Sequence, residues 1–142
     1  MKVLVISDTH GRDENFDRIW NEVQPVDYIL HCGDVGSRAE YIRRNLPPSA
    51  EFDLGGHHLF MAHGHRQGVN MSYDGILLAA RLHGADLVCF GHTHVPELSW
   101  HDGILLCNPG SLTYPRQMSH KPSYILLDIT PEHMTGKIFE IK

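Results

Sequence analysis

Val3-Leu4-Val5-Ile6-Ser7-Asp8-Thr9-His10-Gly11 is the stretch whose reading decides the fold. A short apolar run of this kind reads as a first strand, and it ends on two side chains able to hold a metal ion. The same unit recurs three times. Tyr28–Cys32 runs into Gly33-Asp34, His58–Ala62 into His63-Gly64-His65, and Asp86–Phe90 into Gly91-His92-Thr93-His94. In α/β sheets, ligands bind where the carboxyl ends of strands open into loops. Three of the four clusters space their pair at i, i+2, which in extended chain sends both side chains to one side. A glycine (Gly11, Gly33, Gly64, Gly91) borders each cluster, where the backbone must turn tightly beside a crowded centre. Carboxylate oxygen with neutral imidazole suits Mn, Fe, Zn or Ni better than Ca, which prefers all-oxygen shells.

Between these runs the pattern changes period. Phe16, Ile19, Trp20 and Val23 fall at i, i+3, i+4, i+7, so a helix is expected there, stopped by Pro25. A weaker helical stretch covers Arg38–Asn45 and breaks at Pro47-Pro48. Glu51–Leu54 and His58–Ala62 flank Gly55-Gly56-His57 as a hairpin. Ser72–His83 is helical, with Ile76, Leu77 and Ala80 on one face and Gly84 as its cap. Ile104–Cys107 leads into Asn108-Pro109-Gly110-Ser111. Two tail strands, Tyr124–Ile129 and Lys137–Ile141, are joined by a turn around Pro131 and Gly136. Early strands alternate with helices and late strands pair directly, so the class is α/β with one mixed sheet or two.

The 142 residues suit one domain spanning 1–142, and 42% apolar with 20% charged residues is an ordinary globular balance. No apolar run approaches the ~20 residues that span a bilayer, and no leader precedes the first strand, so a cytoplasmic location is expected. A net charge of −5 disfavours membrane surfaces and strong nucleic-acid binding. Cys32, Cys89 and Cys107 match neither a zinc nor a disulfide pattern and read as buried small hydrophobes. The 12 histidines, as many as Lys and Arg together, are the one unusual count.

Asp8-Thr9-His10, Gly33-Asp34, His63-Gly64-His65, Gly91-His92-Thr93-His94 and Asn108-Pro109-Gly110-Ser111 together resemble the calcineurin-like metallophosphoesterase superfamily, in its branch of small prokaryotic phosphodiesterases. The resemblance runs from Lys2 to the last strand. It implies two mixed β-sheets packed as a sandwich between helices, in four layers, with two divalent metals on one edge. By position, Asp8, His10 and His94 would hold the first metal, His63 and His92 the second, and Asp34 would bridge them. Mn2+ is the first expectation, with Ni2+, Fe2+, Zn2+ or Mg2+ as alternatives. Two such metals turn a shared water into hydroxide that attacks phosphorus in line. The implied activity is hydrolysis of a small phosphate ester, a phosphodiester first. The rival implied by the same fold is a non-catalytic scaffold with a degenerate second metal site.

One departure stands out. The family carries a Gly-Asn-Cys-Asp or Gly-Asn-His-Asp segment before the His-Gly-His, whose Asn ligates the second metal, and no such segment occurs here. Three readings stay open: the segment is deleted, it is missing from the sequence as given, or Asn45 takes its role. His65 is the candidate for protonating the leaving oxygen or gripping phosphate, with an ordinary structural histidine as the alternative. Arg116 reads as a surface residue before an anion contact. His31 could orient a ligand from behind, and His57, His58, His83, His101, His120 and His133 have no partner pattern.

Overall fold

Alternation along β1 (Lys2–Ile6) sets the layers. Val3 and Val5 pack into a cluster with Leu59, Leu87, Cys89, Leu105, Cys107, Ile125 and Leu127, whereas Leu4 and Ile6 meet Ile19 and Val23. The first cluster is the interface between two sheets, and the second is the seat of helix α1 (Glu14–Val23). The computed structural model describes residues 1–33 and 49–142. Asp34, Asn45 and the helix expected over Arg38–Asn45 lie outside the described residues.

The first sheet runs in the order β2 (Tyr28–His31), β1, β8 (Ser123–Ile129), β9 (Met134–Glu140). The second runs β3 (Ser49–Leu54), β4 (His57–Ala62), β5 (Leu87–Cys89), β7 (Ile104–Asn108), β6 (Glu97–His101). Both are mixed. β1 pairs parallel with β2 and antiparallel with β8, while β4, β5 and β7 are mutually parallel and β3 and β6 antiparallel to their neighbours. Phe60, Ala62, Val88, Phe90 and Leu106 form the outer face of the second sheet and receive Ile76, Leu77 and Ala80 of α2 (Asp74–Leu82). The order of layers is therefore helix, sheet, sheet, helix, as the resemblance implied. Strands covered on both faces carry no polar alternation, which is why Val3–Ile6 in β1, Leu59–Ala62 in β4, β5 and Ile104–Cys107 in β7 read as apolar runs. Each buried Val, Leu or Ile contributes about 1.5–3 kcal/mol relative to exposure.

Cys32, Cys89 and Cys107 lie unpaired in the intersheet core. Burial pushes the Cys32 thiol well up, and at Cys107 the hydrogen bond with Cys89 does so first and burial second. These are packing groups rather than nucleophiles. No helix among the described residues is long and apolar enough to cross a membrane.

The structure corrects the sequence reading in places. β6 was not expected at all. It is an edge strand of mostly half-buried residues, with only Leu98 packed against the intersheet core. Asp102-Gly103, both left-handed (φ 49° and 82°), turn it directly into β7, where His101 pairs with Ile104. Gly136, expected in the last turn, instead lies inside β9 opposite Leu127. The turn falls at Thr130 and His133, whose backbones bond each other. α2 begins at Asp74 rather than Ser72. It ends as expected at Gly84, with Gly84 N–H donating to Arg81 O and Ala85 N–H to Ala80 O.

Candidate metal centre

The parallel pairing places the carboxyl ends of β1, β4 and β5 at one end of the sandwich, and there the backbone does something unusual. Asp8, His10, His92 and His94 all have positive φ (54°, 51°, 74° and 60°). The expected mechanism for the i, i+2 pairs was extended chain, and the structure replaces it. Two of the three pairs, Asp8/His10 and His92/His94, are delivered by alternate left-handed residues in a tight loop, whereas between His63 and His65 the left-handed residue is Gly64 (φ 108°). Left-handed backbone costs a non-glycine residue roughly 1–2 kcal/mol, so these loops persist only because their surroundings over-determine them.

Those surroundings are visible. Ser111 Oγ donates to Asp8 O (2.8 Å) and Thr113 Oγ1 to Thr9 O (2.8 Å), pinning the first loop. Asn108 Nδ2 donates to Thr93 Oγ1 (2.9 Å), pinning the second. The loops also interlock. Gly91 lies so close to Ser7 Oγ that a Cβ there would collide with it, and would stand 2.7 Å from Asp8 Oδ2.

The side chains form two groups. Asp8, His10 and His94 offer ligand atoms within 4.8 Å of one another, with His10 Nε2 3.4 Å from His94 Nε2 and Asp8 Oδ1 3.3 Å from His94 Nε2. In the second group, His63 Nε2 is 3.2 Å from His92 Nδ1. Asp8 Oδ1 links the two, lying 3.8 Å from His63 Nε2. Two imidazole nitrogens about 2.0–2.1 Å from one ion at a tetrahedral angle stand roughly 3.3 Å apart. Both nitrogen pairs match that spacing.

Asp8 is fully buried. Its Oδ2 accepts from Ser7 Oγ (2.7 Å) and the His92 backbone N–H (3.1 Å). Its Oδ1, buried as well, has no hydrogen-bond partner among the described residues. Burial pushes the Asp8 carboxyl up, against the pull of Ser7, His63, His94 and the His92 amide. An orphaned carboxylate oxygen between two imidazole pairs is a donor set that fits divalent transition metals.

The imidazoles are also aimed. His94 Nδ1–H donates to Tyr114 O (2.7 Å) and His63 Nδ1–H to Cys32 O (3.0 Å), which leaves each Nε2 unprotonated toward the centre. Gly33 makes room for this: a Cβ there would stand 2.6 Å from His63 Nδ1. His65 opens a short 3-10 turn (His65–Gln67) and is exposed, its ring centroid 5.5 Å from His63 and 6.0 Å from His92. The His10 ring meets Tyr114 edge-on at 5.2 Å, and Arg12 lies over Tyr114 at 5.6 Å. Arg116 is exposed. The bracing roles of Asn108 and Ser111 were carried in sequence only by the Asn108-Pro109-Gly110-Ser111 motif. The carbonyls of Cys32 and Tyr114 had no signal.

A protein built this way is a metallophosphoesterase-like sandwich with its candidate metal residues at one sheet edge. The family profile for the calcineurin-like phosphoesterase superfamily domain matches residues 35–132, and that for calcineurin-like phosphoesterases matches residues 1–65. The chain belongs to the calcineurin-like phosphoesterase superfamily. A probable metallophosphoesterase of Bacillus subtilis (strain 168), YsnB, is 28% identical over 155 residues, covering 99% of this chain and 91% of its own. That alignment is longer than the 142-residue chain, so the relative carries residues with no counterpart here. Among the solved structures that share the fold are the following two. A conserved uncharacterised protein of Streptococcus pneumoniae TIGR4, described as a predicted phosphoesterase, superposes with TM-score 0.78 at 24% identity (99% of this chain, 97% of that one). Wild-type Vps29 of Entamoeba histolytica complexed with Zn2+ does so with TM-score 0.77 at 23% identity (99% and 92%).

Proposed function

We propose that this chain is a metal-dependent phosphoesterase that hydrolyses a small phosphate ester, a phosphodiester first, using two divalent cations, Mn2+ before Ni2+, Fe2+, Zn2+ or Mg2+. The observation that carries the reading is the buried Asp8 carboxylate, whose Oδ1 lies between the His10/His94 and His63/His92 pairs. A polar atom so placed costs about 1–3 kcal/mol unless something electropositive completes it. Asp8, His10 and His94 are the residues to hold the first cation, and His63 and His92 the second. Asp34 is the proposed bridge. Cations held there supply Lewis acidity toward phosphoryl oxygen and acidify water.

The chain's own residues do the rest. The Cys32 and Tyr114 carbonyls keep the protons of His63 and His94 on Nδ1, away from the centre. His65, exposed beside the second group, supplies a ring proton to the leaving oxygen.

The rival reading, a non-catalytic scaffold, draws on the likeness to Vps29. Because that protein is itself described in complex with Zn2+, metal binding does not separate the two readings, and turnover does. Hydrolysis of bis(p-nitrophenyl) phosphate, measured with Mn2+, Ni2+, Mg2+ or Zn2+ added and metal content determined in parallel, is expected to depend on metal. Metal-loaded protein that turns over nothing in any of the four overturns the enzyme reading in favour of the scaffold.

A further inference from the structure

His31, the last residue of β2, sits opposite Ile6 in the parallel register. Its partners differ in kind. The Gly33 backbone N–H donates to His31 Nδ1 (3.1 Å), and an amide can only donate, so Nδ1 carries no proton. A neutral ring then bears its proton on Nε2, which lies 3.0 Å from Thr9 Oγ1 and donates to it. The imidazole thus joins the turn after β2 to the loop after β1.

Both attachment points matter to the centre. Thr9 lies between Asp8 and His10 in the left-handed loop of the first group. Gly33 packs beneath the His63 ring, and Cys32 O accepts from His63 Nδ1, so this turn aims the second group. Two backbone bonds, Cys32 N–H to Ile6 O (3.0 Å) and Asp8 N–H to Gly33 O (2.9 Å), continue the strand pairing but stop at Asp8. His31 reaches one residue further.

We propose that His31, held as the Nε2–H tautomer, is a positioning residue: by bridging Thr9 and Gly33 it sets the separation between the two donor groups. The proposal rests on the metal-centre reading above. Residues that orient metal ligands from behind typically change affinity by about 10–100-fold when replaced, so His31→Phe is expected to weaken Mn2+ binding about tenfold or more. Thr9→Val removes the acceptor from the other side and is expected to give a similar loss. Because both delete one bridge, the double variant is expected to bind no worse than the weaker single one. His31→Asn, which keeps an acceptor for Gly33 N–H and loses Thr9, is expected to fall between wild type and His31→Phe.

The experiment is Mn2+ titration by calorimetry on wild type and these variants, with ring 15N NMR of metal-free wild type to read the tautomer. Unchanged affinity in Thr9→Val, additive losses in the double variant, or a proton on Nδ1 each overturns the proposal. Should His31→Phe fail to fold, Thr9→Val and the NMR arm still decide. Wild type that binds none of Mn2+, Ni2+, Fe2+, Zn2+ and Mg2+ defeats the metal-centre reading and this proposal together, whereas normal wild-type binding with unaffected variants defeats only the role of His31.

Discussion

The two ends of β4 both carry histidines, and they use them in opposite ways. At the carboxyl end His63 faces His92 nitrogen to nitrogen at 3.2 Å, and nearby His10 faces His94 at 3.4 Å. At the amino end every histidine faces an acid. His57 Nδ1 lies 2.6 Å from Asp86 Oδ2, His58 Nδ1 2.8 Å from Asp53 Oδ1, and His83 Nδ1 2.8 Å from Glu51 Oε2. His57 is the clearest case, because its Nε2 also meets an obligate acceptor, Thr130 O, at 2.7 Å. With acceptors at both nitrogens, that ring makes both bonds only when protonated, and it then clamps β4 to the β8–β9 turn. Imidazoles set against carboxylates tie neighbouring elements together; imidazoles set against one another, around an unsatisfied carboxylate oxygen, make a candidate donor set for a cation. Histidine count alone does not separate these cases. The partner does.

The largest test of this contrast is Asp8→Asn. Removing the charge between the two pairs is expected to cut Mn2+ affinity by at least 100-fold, while metal-free protein melts at the same or a higher temperature, since a buried charge without its counterpart is lost. Calorimetric titration and thermal melts check both halves. A metal-free variant that melts well below wild type would make Asp8 a structural residue and dissolve the contrast.

A middle-sized effect is expected at His65. If its ring proton goes to the leaving oxygen, His65→Ala loses about 100-fold in kcat on an alkyl phosphodiester, whose leaving group needs a proton, at the low end of what a positioned general acid contributes. On bis(p-nitrophenyl) phosphate, whose leaving group does not, the loss is expected to be a few-fold at most. Equal losses on both substrates would give His65 a binding role instead.

The smallest effect belongs to the opposite end. The hydrogen bonds to Asp86 and Thr130 raise the His57 pKa above its ordinary 6.5, outweighing the opposing effect of burial. A raised pKa in the folded state means the clamp's contribution is fully present below about pH 6.5 and is lost as pH climbs through the folded value. Wild type is therefore expected to exceed His57→Gln in stability by about 1 kcal/mol at pH 5.5 and by less at pH 9. Denaturant unfolding at both values checks this, and a gap that widens with pH refutes the imidazolium.

The sequence showed strands where both faces are covered, because Val3–Ile6, Leu59–Ala62, Leu87–Cys89 and Ile104–Cys107 must be apolar on both faces. It hid β6, an edge strand with only Leu98 in the intersheet core, although Asp102-Gly103 is a strong two-residue turn signal. The candidate ligands were legible because their clusters are local. What aims them was not. His94 is oriented by Tyr114 and His63 by Cys32, partners 20 and 31 residues away. The left-handed backbone of Asp8, His10, His92 and His94 leaves no compositional trace, since none is a glycine.

The interlock at Gly91 bears on how this scaffold can change over generations. Any side chain there displaces the Ser7–Asp8 contact, so a substitution at Gly91 in the second loop also disturbs the first. Under the proposed phosphoesterase activity, variation in substrate choice would come from outside that keystone, at exposed positions such as Arg12, Tyr114 and Arg116. A mutant library aimed at new ester preferences belongs on that rim, and one that includes Gly91 would be spent on chains that lose the site altogether.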